Sequence, residues 1–126
     1  MEMMIGGAFQ GKADLAKKTY PGIRWVRGEE ISEKELMEAQ GVLGFHRFIR
    51  RQLEQGGEVK DLAAALIRNN PDIILVSDEV GYGVVPVDAF DRAYREAVGR
   101  VCTELASYSK KVTRVVCGIG TVIKNA

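Results

Sequence analysis

The strongest constraint on the fold lies at the start of the chain. A short apolar run, Met3-Met4-Ile5, leads into Gly6-Gly7-Ala8-Phe9-Gln10-Gly11-Lys12-Ala13, and residues 13–18 then read as a helix. Strand, glycine loop and helix N-terminus in that order form the setting in which backbone N–H groups and the helix dipole hold an anion. Gly, four residues and Gly-Lys are the fixed positions of a phosphate loop, whose lysine reaches the outer phosphates of a nucleotide. The next position normally carries Ser or Thr, which holds Mg²⁺; here it is Ala13, with no oxygen to offer. The competing reading is an ordinary glycine-rich turn.

The remainder of the chain alternates strands and helices. Pro21-Gly22 makes a turn and Ile23 to Val26 reads as a short strand. Ser32 with Glu35 is a capping box, so a helix starts there and runs toward Gln40. Gly41 and Gly44 interrupt it. A second helix is expected over 43–55, with Phe45, Phe48, Ile49 and Leu53 at helical spacing, and Gly56-Gly57 stops it. A third is expected over 58–69, with Pro71 beyond its end. Asp72-Ile73-Ile74-Leu75-Val76-Ser77 is a continuous apolar run of the kind a central strand covered on both faces requires. Asp88 can cap the longest helix, running to about Tyr108 with Phe90, Ala93, Tyr94, Ala97, Val101 and Leu105 inward. A last strand over 112–117 leads into Gly118-Ile119-Gly120 and an extended tail. This pattern predicts an α/β fold, a largely parallel sheet flanked by helices, as a single domain over residues 1–126.

The apolar strand ends in two acids, Asp78 and Glu79, as a phosphate loop's partner strand does. The first such acid holds the metal, and the second can orient or deprotonate a nucleophile. Asp78 is the metal-side candidate and Glu79 the base candidate; otherwise both merely open a solvated loop. The 18 basic and 17 acidic residues nearly cancel, which argues against a nucleic-acid or membrane surface. The cluster Arg47, Arg50 and Arg51 reads as a solvated helix face. No apolar run reaches the length of a membrane span. Cys102 and Cys117 read as buried free thiols in a reducing compartment, the cytoplasm. With one histidine and two scattered cysteines no zinc site assembles. His46 shares a helix face with Val42, Ile49 and Leu53, so it reads as a half-buried histidine bonded to a neighbour, or else as a phosphate or substrate contact aided by Arg47 and Arg50.

Residues 76–86, Val-Ser-Asp-Glu-Val-Gly-Tyr-Gly-Val-Val-Pro, resemble a segment of the bifunctional adenosylcobinamide kinase/adenosylcobinamide-phosphate guanylyltransferase family. The segment is similar to that family's V-S/T-N-E-V-G-x-G-I-V-P run, with Asp78 in place of its Asn and Val84 in place of its Ile, and the family's loop G-G-x-x-x-G-K-S resembles residues 6–13. Its F-R-D-x-x-G-R-x-N-x-x-L-A helix is similar to residues 90–106, and its V-V-S-G-I-G ending to residues 115–120. The resemblance implies a P-loop RecA-like parallel sheet, ATP or GTP with Mg²⁺, a corrinoid (cobinamide-like) substrate and a homo-oligomer. It implies phosphorylation of a hydroxyl, then GMP transfer through a guanylylated histidine. By the phosphate-loop pattern and its acidic strand end, Gly6, Gly7, Ala8, Phe9, Gln10, Gly11, Lys12 and Ala13 are expected to bind the nucleotide, Lys12 and Glu79 to act in catalysis, and Asp78 to serve the metal.

Two departures stand out. If Trp25 marks the family's tryptophan segment, the interval that carries its histidine is missing here, and His46 sits in a context like a later helix. Ala13 removes the metal-binding hydroxyl, the kind of preorganised group whose loss costs on the order of a hundredfold in rate. Three readings therefore stand: an enzyme acting on a cobinamide-like alcohol, a degenerate nucleotide- or corrinoid-binding protein, and a structural subunit with an empty loop.

Overall fold

The computed structural model describes residues 1–80 and 88–126. Gly81 to Pro86, part of the segment that carries the family resemblance, lie outside the described residues. Six strands form one sheet in the order β2-β3-β4-β1-β5-β6. β1 (Glu2–Gly6) lies between β4 (Ile74–Asp78) and β5 (Lys111–Val116), parallel to both. β3 (Gly41–Leu43) pairs in parallel with β4 and with β2 (Trp25–Arg27). The exception is β6 (Ile119–Asn125), which runs antiparallel along β5.

Side chains alternate across a strand, and each pair of neighbours here serves two cores. Met3, Leu75 and Val112 point into the large cluster with Leu36, Phe45, Phe48, Ile49, Leu66, Val98 and Leu105. That cluster joins the sheet to α2 (Glu33–Glu38), α3 (Phe45–Glu54), α4 (Leu62–Asn69) and α5 (Ala89–Tyr108). Met4, Val76 and Val115 point the other way, onto Ala16 of α1 (Lys12–Thr19). β4 is buried on both faces, as its unbroken apolar run requires.

The caps follow the sequence. Ser32 and Glu35 form the reciprocal capping box of α2. Asp88 Oδ1 accepts from the N–H groups of Phe90 and Asp91 at the head of α5. On α5, Tyr94, Ala97, Val101 and Leu105 are buried as expected, Val98 joins them, and Ala93 is exposed.

Four expectations change. Gly41 to Leu43 are not a helix interruption and helix start; they are β3, and α3 begins only at Phe45. The strand expected at 23–26 sits slightly later, at Trp25–Arg27. α4 starts at Leu62 rather than at residue 58: Gly56, at a left-handed φ of 79°, follows the end of α3, and residues 57–61 lie outside any helix. The tail pairs as a full strand. Cys117 and Gly118 supply a two-residue turn at φ 51° and 75°, a left-handed pair whose twist suits a hairpin.

Candidate functional site

Register brings the two sequence signals together. Gly6, the last residue of β1, is the Cα partner of Asp78, the last residue of β4. The Glu79 N–H donates to the Gly6 carbonyl at 2.7 Å and closes the two strand ends. A Cβ on Gly6 would lie 2.4 Å from the Val115 carbonyl oxygen, so no larger residue fits that corner without backbone movement. Gly11, at φ 80°, turns the loop into α1. The loop is also held from the hairpin side. Gln10 accepts from Gly118 N–H through its carbonyl at 2.7 Å and from Cys117 N–H through Oε1 at 2.6 Å.

Lys12 is the first residue of α1 and is buried, and its ammonium turns back into the loop. Nζ donates to the Gly7 carbonyl at 2.6 Å and meets Asp78 Oδ1 at 2.7 Å. Ala13 and Ala8 are exposed. Phe9 is wholly exposed, with φ 61°, at the rim of the same cavity. That cavity, of about 460 Å³, is lined by the loop and by residues of β3, α3 and β4. A broader groove of about 940 Å³ beside α5 contains none of the loop residues.

His46 enters this cavity from the first turn of α3. Its Nδ1 accepts from the Asp78 N–H at 3.0 Å, and its Nε2 lies 3.4 Å from Asp78 Oδ2. Burial pushes the imidazole pKa down; Asp78 opposes the shift, while Arg47 and Lys12 add to it. A neutral ring with Nδ1 as acceptor carries its proton on Nε2, facing the carboxylate. The reading of a histidine bonded to a neighbour is correct, and the neighbour is the acid at the strand end. No sequence signal brings α3 to the loop, because β3, which delivers that helix to the end of the sheet, reads from sequence as a helix break.

The arginine cluster keeps Arg47 and Arg50 in solvent, with 56% and 42% of their side-chain surface exposed, and its members take different partners. Arg47 lines the cavity and pairs with Glu29, which also meets Arg27 at 3.3 Å. The Glu29 carboxyl is desolvated, but the Arg47 hydrogen bond and charge hold it below the usual range. Arg50 instead turns to α5, where its guanidinium lies 5.3 Å from the Phe90 ring and 5.1 Å from the Tyr94 ring. Arg51 donates to the Ile31 carbonyl. Glu79 is also separated from the loop. It follows Asp78 by one residue, so it points to the opposite face, where Oε1 meets Arg114 Nε at 3.2 Å. It lines an adjoining, mostly apolar cavity of about 400 Å³ with Ile5, Val98 and Cys102, and Asp78 borders both cavities. The Cys102 thiol, hydrogen-bonded to Ser77, is pushed up to about 11 by burial, whereas Cys117, expected to be buried, is exposed in the hairpin turn.

Mg²⁺ prefers six oxygen ligands and uses protein carboxylates together with phosphates. The donor set here does not fit a resident Mg²⁺. Position 13 offers a methyl group, Asp78 has one oxygen on Lys12 and the other facing His46, and Glu29 is held by Arg47 and Arg27. Among the described residues, no group of three or more His, Cys, Asp or Glu could hold a metal ion. The metal role expected of Asp78 therefore lacks its usual partners.

The glycine loop, the buried lysine and the acidic strand end lie together at the carboxyl end of a mostly parallel α/β sheet, an arrangement able to hold an anion. The chain matches the family described as cobinamide kinase / cobinamide phosphate guanyltransferase over residues 25–123, the greater part of its length, and belongs to that family. It is 42% identical over 67 residues to the bifunctional adenosylcobalamin biosynthesis protein CobU of Escherichia coli (strain K12). The same identity over the same length holds for the protein of that name from Salmonella typhimurium (strain LT2). These matches cover 53% of this chain and 37% of each relative, so the chain shares little more than a third of the relatives' length. Among the described residues, no helix is long and apolar enough to cross a membrane.

Proposed function

We propose that this chain binds ATP or GTP on the P-loop formed by residues 6–13 of a RecA-like sheet, and transfers a phosphoryl group to the hydroxyl of a cobinamide-like corrinoid. The observation that carries the reading is the Lys12 ammonium, buried at the head of α1 and 2.7 Å from Asp78. Phosphoryl transfer depends on positioning and charge stabilisation, with little covalent work for the protein. The loop N–H groups and the α1 N-terminus hold the phosphates, and Lys12 neutralises charge as it builds on the transferred group. The acceptor oxygen bonds to the γ-phosphorus, the bond to the β–γ bridging oxygen breaks, and the nucleoside diphosphate leaves. Glu79 receives the hydroxyl proton. Its place on the cavity that meets the phosphate cavity at Asp78 supports this role.

The family membership supports the substrate class. The two free cysteines, Cys102 and Cys117, support a cytoplasmic protein. The implied homo-oligomer and the single domain over residues 1–126 belong to the same proposal. Ala13 favours a second reading, a catalytically degenerate protein that binds a nucleotide or corrinoid without turnover. Incubation with γ-labelled ATP and α- or γ-labelled GTP, with and without cobinamide, separates the readings. γ-Label on the corrinoid, lost in Lys12→Ala, is expected. Bound nucleotide with no transfer to corrinoid or protein would establish the degenerate reading, and α-label on the protein or corrinoid would show GMP transfer instead.

A further inference from the structure

Each carboxylate that reaches the glycine-loop cavity either faces a cation or lies on the surface. Asp78 Oδ1 sits 2.7 Å from Lys12, and Oδ2 faces the His46 ring at 3.4 Å. Glu29 is shared between Arg47 and Arg27. Asp14 is exposed in the first turn of α1, and residue 13 has no side-chain oxygen. Against these three acids the cavity wall sets four permanent cations, Lys12, Lys17, Arg27 and Arg47, which leaves it net positive while His46 is neutral. Such a wall is ill-suited to a divalent cation and well-suited to a polyphosphate.

We infer that the site binds the nucleotide polyphosphate without a divalent cation. Lys12 exchanges Asp78 for a phosphate oxygen, and the Asp78 carboxylate stays held by His46. Arg47, kept at the cavity by Glu29, offers the planar fork of donors that matches a phosphate oxygen pair. Lys17, one turn and a half along α1 from Lys12, adds a further charge at the rim. These cations take over the neutralisation that a metal would otherwise supply. The inference rests on the nucleotide site proposed above and concerns only what holds its phosphates.

Titration calorimetry of the full chain with GTP, and separately with inorganic pyrophosphate, in excess Mg²⁺ and in excess EDTA tests it. The two dissociation constants for each ligand should agree within about threefold, a small fraction of the loss expected when a bridging metal is removed. Ala13→Ser returns the missing hydroxyl, and its EDTA-to-Mg²⁺ ratio of dissociation constants should exceed that of the unaltered chain. A dissociation constant at least tenfold weaker in EDTA would overturn metal-independent binding while leaving the nucleotide site intact. Binding of neither ligand in either buffer would remove the nucleotide site itself, and this inference with it.

Discussion

Replacing Asp78 with Asn separates a site run by cations from one organised around a metal. Lys12 Nζ lies 2.7 Å from Asp78 Oδ1, and at an effective dielectric of about 20 that separation corresponds to a gross attraction of about 6 kcal/mol. Desolvating both ions and ordering the lysine side chain offsets most of it. The side chains are 8% and 22% exposed, so solvent screening is limited, and the net value of the charge-assisted pair is about 1–3 kcal/mol. Asp78→Asn should therefore lower the unfolding free energy of the ligand-free chain by about 1–3 kcal/mol in urea titrations. The same change frees Lys12 and removes a negative charge beside the incoming phosphates. Pyrophosphate measured calorimetrically in EDTA should bind more tightly, by up to about tenfold, which corresponds to 1.4 kcal/mol. Stability and affinity thus move in opposite directions. Weaker pyrophosphate binding in EDTA, or an unchanged urea midpoint, would refute the idea that Lys12 must leave Asp78 to meet its ligand.

Burial lowers the His46 pKa from its ordinary 6.5, so below that pH the unfolded chain takes up a proton that the folded chain resists. This stability contribution is present above pH 6.5 and is lost as pH falls through the depressed folded value. Because His46 is the chain's single histidine, His46→Gln should flatten the urea-midpoint profile just below neutrality; a variant profile parallel to the original would contradict a neutral buried ring. Gly28→Ala would set a Cβ 2.2 Å from the Gly44 carbonyl oxygen, at the residue that opens α3. It should cost about 1–3 kcal/mol and weaken pyrophosphate binding by moving His46 and Arg47, whereas an unchanged urea midpoint and affinity would refute that link.

Much of this fold was legible because its signals are local. The apolar β4 run, the capping box of α2, the Asp88 cap and the helical spacing of Phe45, Phe48 and Ile49 each state their element without tertiary context. The pairing of the glycine loop with Asp78 was also legible, since a parallel sheet brings the carboxyl ends of neighbouring strands to one edge. β3 was not legible. Three residues beginning with glycine carry no periodicity, and two well-marked helices on either side absorbed them. That one omission hid the approach of α3, and with it the reason His46 and Arg47 stand at the loop while Arg50 and Arg51 do not. The separation of Glu79 from Lys12 follows from strand alternation. The Glu79 partner, Arg114, comes from β5, 35 residues later, which no local pattern indicates. The hairpin grip on Gln10 was equally out of reach, because it depends on the antiparallel return of β6.

The central claim is that the early glycine loop and the acidic strand end enclose one polyphosphate. Backbone amide shifts followed by NMR during titration with GTP test it most directly. The account predicts saturable changes concentrated at Gly7 to Ala13 and at Asp78, His46 and Arg47, all abolished in Lys12→Ala. Saturable shifts confined to the α4–α5 groove, or shifts at the loop that persist unchanged in Lys12→Ala, would contradict it.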